Sequence, residues 1–133
     1  MGFRMMSILK RRVFWAIAFG AALTVNAAAE GIDGIYRVEG HSPGSNDTYK
    51  GQAQIKKTGD TYTVVWRIGE SGHVGTGILR GNVLSIFFQP LDRRAAPGIA
   101  SFLIAGDKVT EGTWTVLGGN AVGVERWVPD RGL

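Results

Sequence analysis

From residue 30 onward, short runs of alternating apolar and polar residues are interrupted by glycine-led pairs, Gly59-Asp60, Gly81-Asn82, Gly106-Asp107 and Gly119-Asn120. An alternation of period two places successive side chains on opposite faces of an extended backbone, which is the pattern of a half-buried strand. A glycine between two such runs takes up the positive φ of a tight hairpin link without a Cβ clash. No stretch of a dozen residues carries the 3.6-residue period of a helix. The pattern predicts eight strands: 35–40, 49–56, 62–68, 74–79, 83–88, 99–104, 109–116 and 121–127. Short links make sequence neighbours into spatial neighbours, so the order is that of a meander.

An open meander of this kind would present two unpaired edges to water. Pairing the first strand with the last removes both, and an all-β, eight-stranded antiparallel up-and-down barrel is therefore expected, with a two-sheet sandwich as the alternative. Gly75 and Gly77 share one face of the fourth run, where missing side chains permit coiling or make room for Trp66 or Trp114 across the barrel. Alternation also assigns faces. Tyr62, Val64, Trp66 and Ile68 share one side of their strand; Lys50, Gln52, Gln54 and Lys56 form a polar row opposite Tyr49, Gly51, Ala53 and Ile55. The fifth strand is ambiguous, because Leu84, Ile86 and Phe88 alternate with Val83, Ser85 and Phe87, and a loop or partner over its outer face is one reading.

Residues 1–29 have a different character. Arg4, Lys10, Arg11 and Arg12 precede the apolar run Val13–Val25, and Asn26 leads into Ala27-Ala28-Ala29. A basic flank, a short apolar core and small residues before a cleavage point are the marks of a signal peptide, with residues 30–133 as a single mature domain. The 13-residue apolar run would span about 20 Å as a helix, against roughly 30 Å of bilayer hydrocarbon, which disfavours a permanent anchor. A periplasmic or secreted destination is expected. The precursor has 15 basic and 11 acidic residues, but four of the bases lie in the leader, so the mature part is balanced. Its charge gives no reason to expect nucleic acid. With no cysteine, disulfides, thiolate zinc sites and thiol nucleophiles are excluded, and the domain must rely on packing.

The layout resembles the small secreted barrels of the avidin and lipocalin kind, eight-stranded meanders that hold a small molecule at one open end. Gly34-Ile35-Tyr36 resembles the Gly-x-Trp that opens lipocalins, with tyrosine in place of tryptophan, and the resemblance implies that Arg126 in the last strand sits across that ring. The stretch from Gly40 to Gly69 (GHSPGSNDTYKGQAQIKKTGDTYTVVWRIG) is also similar to a group of small exported bacterial proteins, some of which carry a fibronectin-binding label.

Chemistry-bearing residues are sparse. His41 and His73 fall in polar loop or turn sequence and lack the convergent donors of a metal site. Asp47, Glu70, Asp92, Glu111 and Glu125 are scattered, and Glu111 and Glu125 read as surface partners of Arg126 or Lys108. No Gly-x-Ser-x-Gly elbow or phosphate-binding loop is present. The rings are more informative: Trp66, Trp114, Trp127, Tyr36, Tyr49, Tyr62, Phe87, Phe88 and Phe102 amount to nine in about a hundred residues. Most must fill the core, and Tyr36, Trp66 and Trp114 are the candidates for a wall against a small planar or apolar ligand. Arg93 and Arg94, in a loop stiffened by Pro90 and Pro97, suit an anionic partner such as an envelope or extracellular protein or a polysaccharide. The expectation is an exported non-catalytic binding protein without cofactor or metal, using the barrel mouth or its loops. A surface adhesin or inhibitor is one alternative, and a small hydrolase with an unrecognised site is another.

Overall fold

The computed structural model describes residues 31–131; the signal-peptide expectation falls on residues outside this range. Eight strands follow in order: β1 (Gly34–His41), β2 (Thr48–Thr58), β3 (Thr61–Ile68), β4 (Ser71–Arg80), β5 (Val83–Pro90), β6 (Gly98–Ala105), β7 (Lys108–Val116) and β8 (Gly123–Pro129). Each pairs antiparallel with its sequence neighbour, and β1 pairs with β8 to close the barrel. Closure overturns the sandwich alternative. It leaves every strand with a partner on both sides, so no edge remains to template aggregation.

The expected faces hold. Tyr62, Val64 and Trp66 of β3 point inward with Ala53 and Ile55 of β2, whereas Lys50, Gln52, Gln54 and Lys56 are exposed. On β5, Leu84, Ile86 and Phe88 form the inner row, and Phe87 is 53% exposed on the outside with no loop over it. Ile78 and Ile99 lie exposed near it on β4 and β6. Three of the four expected links turn on their first glycine, Gly59, Gly81 and Gly106; in the last, the positive φ belongs to Gly118 instead of Gly119. That shift fits the later start of β8, at Gly123 where Ala121 was expected. The segment 71–73, read as a turn, is the start of β4, because the link tightens to Gly69-Glu70.

One irregularity decides what β7 can contribute. Leu103 pairs with Glu111 but Ile104 pairs with Val109, so Thr110 is an extra residue, a bulge. Uninterrupted alternation would put Val109 and Trp114 on opposite faces. The bulge brings both to the interior side, Val109 fully buried and Trp114 packed against the core, and the Thr110 hydroxyl donates to the Leu103 carbonyl across the irregularity at 3.1 Å.

The two ends of the barrel differ. At one, tight links join β2 to β3, β4 to β5 and β6 to β7, and Ile32, 5% exposed, packs with the core cluster ahead of β1. The Tyr36 hydroxyl donates to the Ile32 carbonyl at 2.9 Å and accepts from the Val109 amide at 3.3 Å, fastening this segment to β7. Ile55, Val64, Leu84, Val109 and Phe102 fill the barrel at less than 2% exposure each. At the other end lie the longer loops 42–47, 91–97 and 117–122.

Candidate functional site

A half-open cavity of about 260 Å³ enters the barrel at the long-loop end, lined by Ser42, Tyr49, Trp66, Ile68, Ser71, His73, Phe88, Ala100, Trp114 and Glu125. Its side chains come from the strands and one loop, the strand residues from inward positions of the alternation. The rings form a continuous series of contacts. Tyr36 meets Trp127 at 5.0 Å between centroids, Trp127 meets Trp66 at 6.1 Å, Trp66 meets Phe88 at 5.9 Å, Phe88 meets Trp114 at 6.0 Å, and Trp114 meets Tyr49 at 6.3 Å. Every contact from Trp127 onward in this series is edge-on, the arrangement that sets the positive rim of one ring against the negative face of the next.

Space for these rings is made by glycine on the neighbouring strand. Gly98 pairs directly with Phe88, and a Cβ there would collide with the Phe88 ring; Gly123 pairs with Trp114, and a Cβ there would lie 2.8 Å from the indole nitrogen. Gly40, opposite Tyr49, likewise leaves room for the Tyr49 hydroxyl.

At the inner side of the cavity stands Glu125, 7% exposed and the one charged residue in the buried set among the described residues. Its Oε2 accepts from the indole N–H groups of Trp66 and Trp127, both at 3.0 Å, and its Oε1 accepts from the Tyr49 hydroxyl at 3.1 Å. No Lys, Arg or His lies within salt-bridge distance of it among the described residues. Burial pushes the carboxyl above the usual range, and the three donors only partly offset that effect. Tyr49 is raised in turn by burial and by the neighbouring carboxylate. His73, half-buried against the edge of Phe88 at 5.9 Å, is lowered by burial. The Trp114 indole N–H is buried and completes no hydrogen bond.

The sequence-selected residues divide among three places. Trp66 and Trp114 line the cavity; Tyr36 lies outside its lining, 3% exposed, holding the closed end. Arg93 and Arg94 are exposed in loop 91–97, where Arg94 binds both oxygens of Asp92 at 3.1 and 3.3 Å and holds that carboxyl below its usual range. Three expectations are corrected. Glu125 is no surface partner of Arg126 or Lys108, because it shares its phase on β8 with Gly123 and Trp127, which face inward. For the same reason Arg126 points outward, and the residue packed against the Tyr36 ring is Trp127. His73 also departs from the exposed turn position expected of it, since it shares the inner face of β4 with Gly75 and Gly77; His41, at the end of β1, is exposed. No group of three or more metal-ligating side chains occurs among the described residues.

What this defines is a closed, up-and-down β-barrel with one plugged end and one ring-lined, acid-bottomed mouth. In comparisons with known proteins, no family model, curated protein or solved structure matches the chain.

Proposed function

We propose that this is an exported, non-catalytic binding protein that takes a small, largely apolar molecule into the open end of its barrel. The observation that carries this reading is the cavity of about 260 Å³ walled by Trp66, Phe88 and Trp114 with Glu125 at its inner side. Concave, ring-lined sites with a few placed polar groups are the usual form of small-molecule sites, which for drug-sized ligands run to roughly 300–1,000 Å³. This one, at the lower margin, suits a single ring or a short chain. Two further features support the reading. The leader at residues 1–29 supports export to the periplasm or beyond. The outer row of β2, Lys50, Gln52, Gln54 and Lys56, is polar over an apolar interior, and no helix among the described residues is long and apolar enough to cross a membrane.

The test is a titration with small aromatic probes such as indole, phenol and benzyl alcohol, followed at the Trp66 and Trp114 indole N–H resonances. Saturable shifts from at least one probe are expected, and they should vanish in Ala100→Phe, which places a ring in the cavity. Absence of shifts from every probe, or an unchanged response in a folded Ala100→Phe protein, would overturn the reading.

A further inference from the structure

The chemistry of the cavity also bears on which molecules it accepts, and this step rests on the cavity being the binding site. An ionised carboxylate is acceptor-only, with about four lone-pair positions on its two oxygens. Glu125 uses two on Oε2 for the indoles of Trp66 and Trp127 and one on Oε1 for Tyr49. One position on Oε1 is left, and Glu125 itself lines the cavity. All three donors are neutral, so the hydrogen bonds orient the carboxylate without cancelling its charge. Buried charges ordinarily have a counter-charge, and the described residues provide none within reach.

The remaining wall supplies what a cation needs. Trp66, Phe88 and Trp114 offer aromatic rings, whose faces attract positive charge, most strongly for tryptophan. The other polar lining groups are the hydroxyls of Ser42, Ser71 and Tyr49 and the imidazole of His73, and burial favours the neutral imidazole. Among the described residues, no Lys or Arg lines the cavity. An anion would meet a carboxyl with no compensating base, and of the possible guests only a cation would offset the burial that opposes its ionised form.

We propose that the barrel mouth binds a small protonated amine, with its ammonium donating to the open position on Glu125 Oε1 and its apolar body among Trp66, Phe88 and Trp114. A quaternary ammonium would satisfy the rings but could not donate to the carboxylate, so a primary or secondary amine is the better match.

Benzylamine, benzyl alcohol and benzoate share one ring and differ in charge, which makes them suitable probes by calorimetry and by indole N–H shifts at neutral pH. Benzylamine should bind at least about tenfold more tightly than benzyl alcohol, benzoate should be the weakest, and Glu125→Gln should erase the preference for the amine over the alcohol. Benzylamine should also shift the indole N–H signals of Trp66 and Trp127, which both donate to Glu125, in the unaltered protein; that readout holds even if the variant fails to fold. Equal affinity for amine and alcohol, tighter binding of benzoate, survival of the amine preference in folded Glu125→Gln, or no response of those two indoles would overturn the amine assignment while leaving the cavity as a binding site. Failure of all three probes to bind would count against both.

Discussion

Removing the charge of Glu125 should change how stability depends on pH. In the folded barrel the carboxyl is raised above its ordinary value of 4.5 by burial, so between that value and its folded pKa the native state holds a proton that the unfolded chain has released. Stability attributable to this group is therefore greatest below about pH 4.5, falls as pH rises toward the folded pKa, and stays reduced above it, at ~1.4 kcal/mol for each tenfold gain in proton affinity. His73, lowered by burial, has the opposite sign: its contribution is lost as pH falls below its ordinary value of 6.5. Because His73 is present in both proteins, the difference between wild type and Glu125→Gln isolates the carboxyl. The glutamine amide in that variant can accept both indole N–H groups on its carbonyl oxygen and donate to the Tyr49 oxygen, so it keeps the network and loses the charge. Glu125→Leu removes all three acceptor contacts. Tyr49 can rehydrate through the cavity, leaving two buried indole donors at ~1–3 kcal/mol each, an expected loss of about 2–6 kcal/mol. Urea unfolding followed by circular dichroism at several values between pH 4 and 8 measures both effects. A constant difference between wild type and Glu125→Gln across that range, or a Glu125→Leu protein as stable as wild type, would refute the account of a carboxyl whose ionisation is opposed by burial and only partly supported by three neutral donors.

Two other perturbations test the scaffold. Tyr36→Phe leaves the Ile32 carbonyl and the Val109 amide without the hydroxyl that joins them, and should cost about 1–3 kcal/mol in urea unfolding while leaving benzyl alcohol binding intact if the closed end is separate from the mouth. Deleting Thr110 removes the bulge and re-phases one part of β7 against the other; thermal unfolding should show a loss of at least ~3 kcal/mol, comparable to expelling a core side chain, and an unchanged midpoint would mean that the bulge does not set the register.

The barrel was legible in the chain because period-two alternation is a local property and glycine-led pairs mark the links. Closure followed from the cost of open edges. The rings of Trp66 and Trp114 were legible as a candidate wall for the same reason. Glu125 was not, since a carboxylate among alternating residues ordinarily belongs to the wet face, although its phase with Gly123 and Trp127 already placed it inside. His73 was hidden in the same way by its neighbouring serine and glycines, despite sharing a face with Gly75 and Gly77. The bulge at Thr110 had no sequence mark at all: nothing in VTEGTWTV distinguishes the residue to be skipped, and only the demand to bury both Val109 and Trp114 selects it.

The pairing of Phe88, Trp114 and Tyr49 with glycine across the strand also constrains how such a protein can change over generations. Adding a methyl group opposite Phe88 or Trp114 leaves the ring nowhere to go, while shrinking the ring alone opens a void over the exposed backbone. The tolerated path is a joint exchange at both positions, so the shape of the mouth should vary in correlated pairs of residues while the plugged end varies independently.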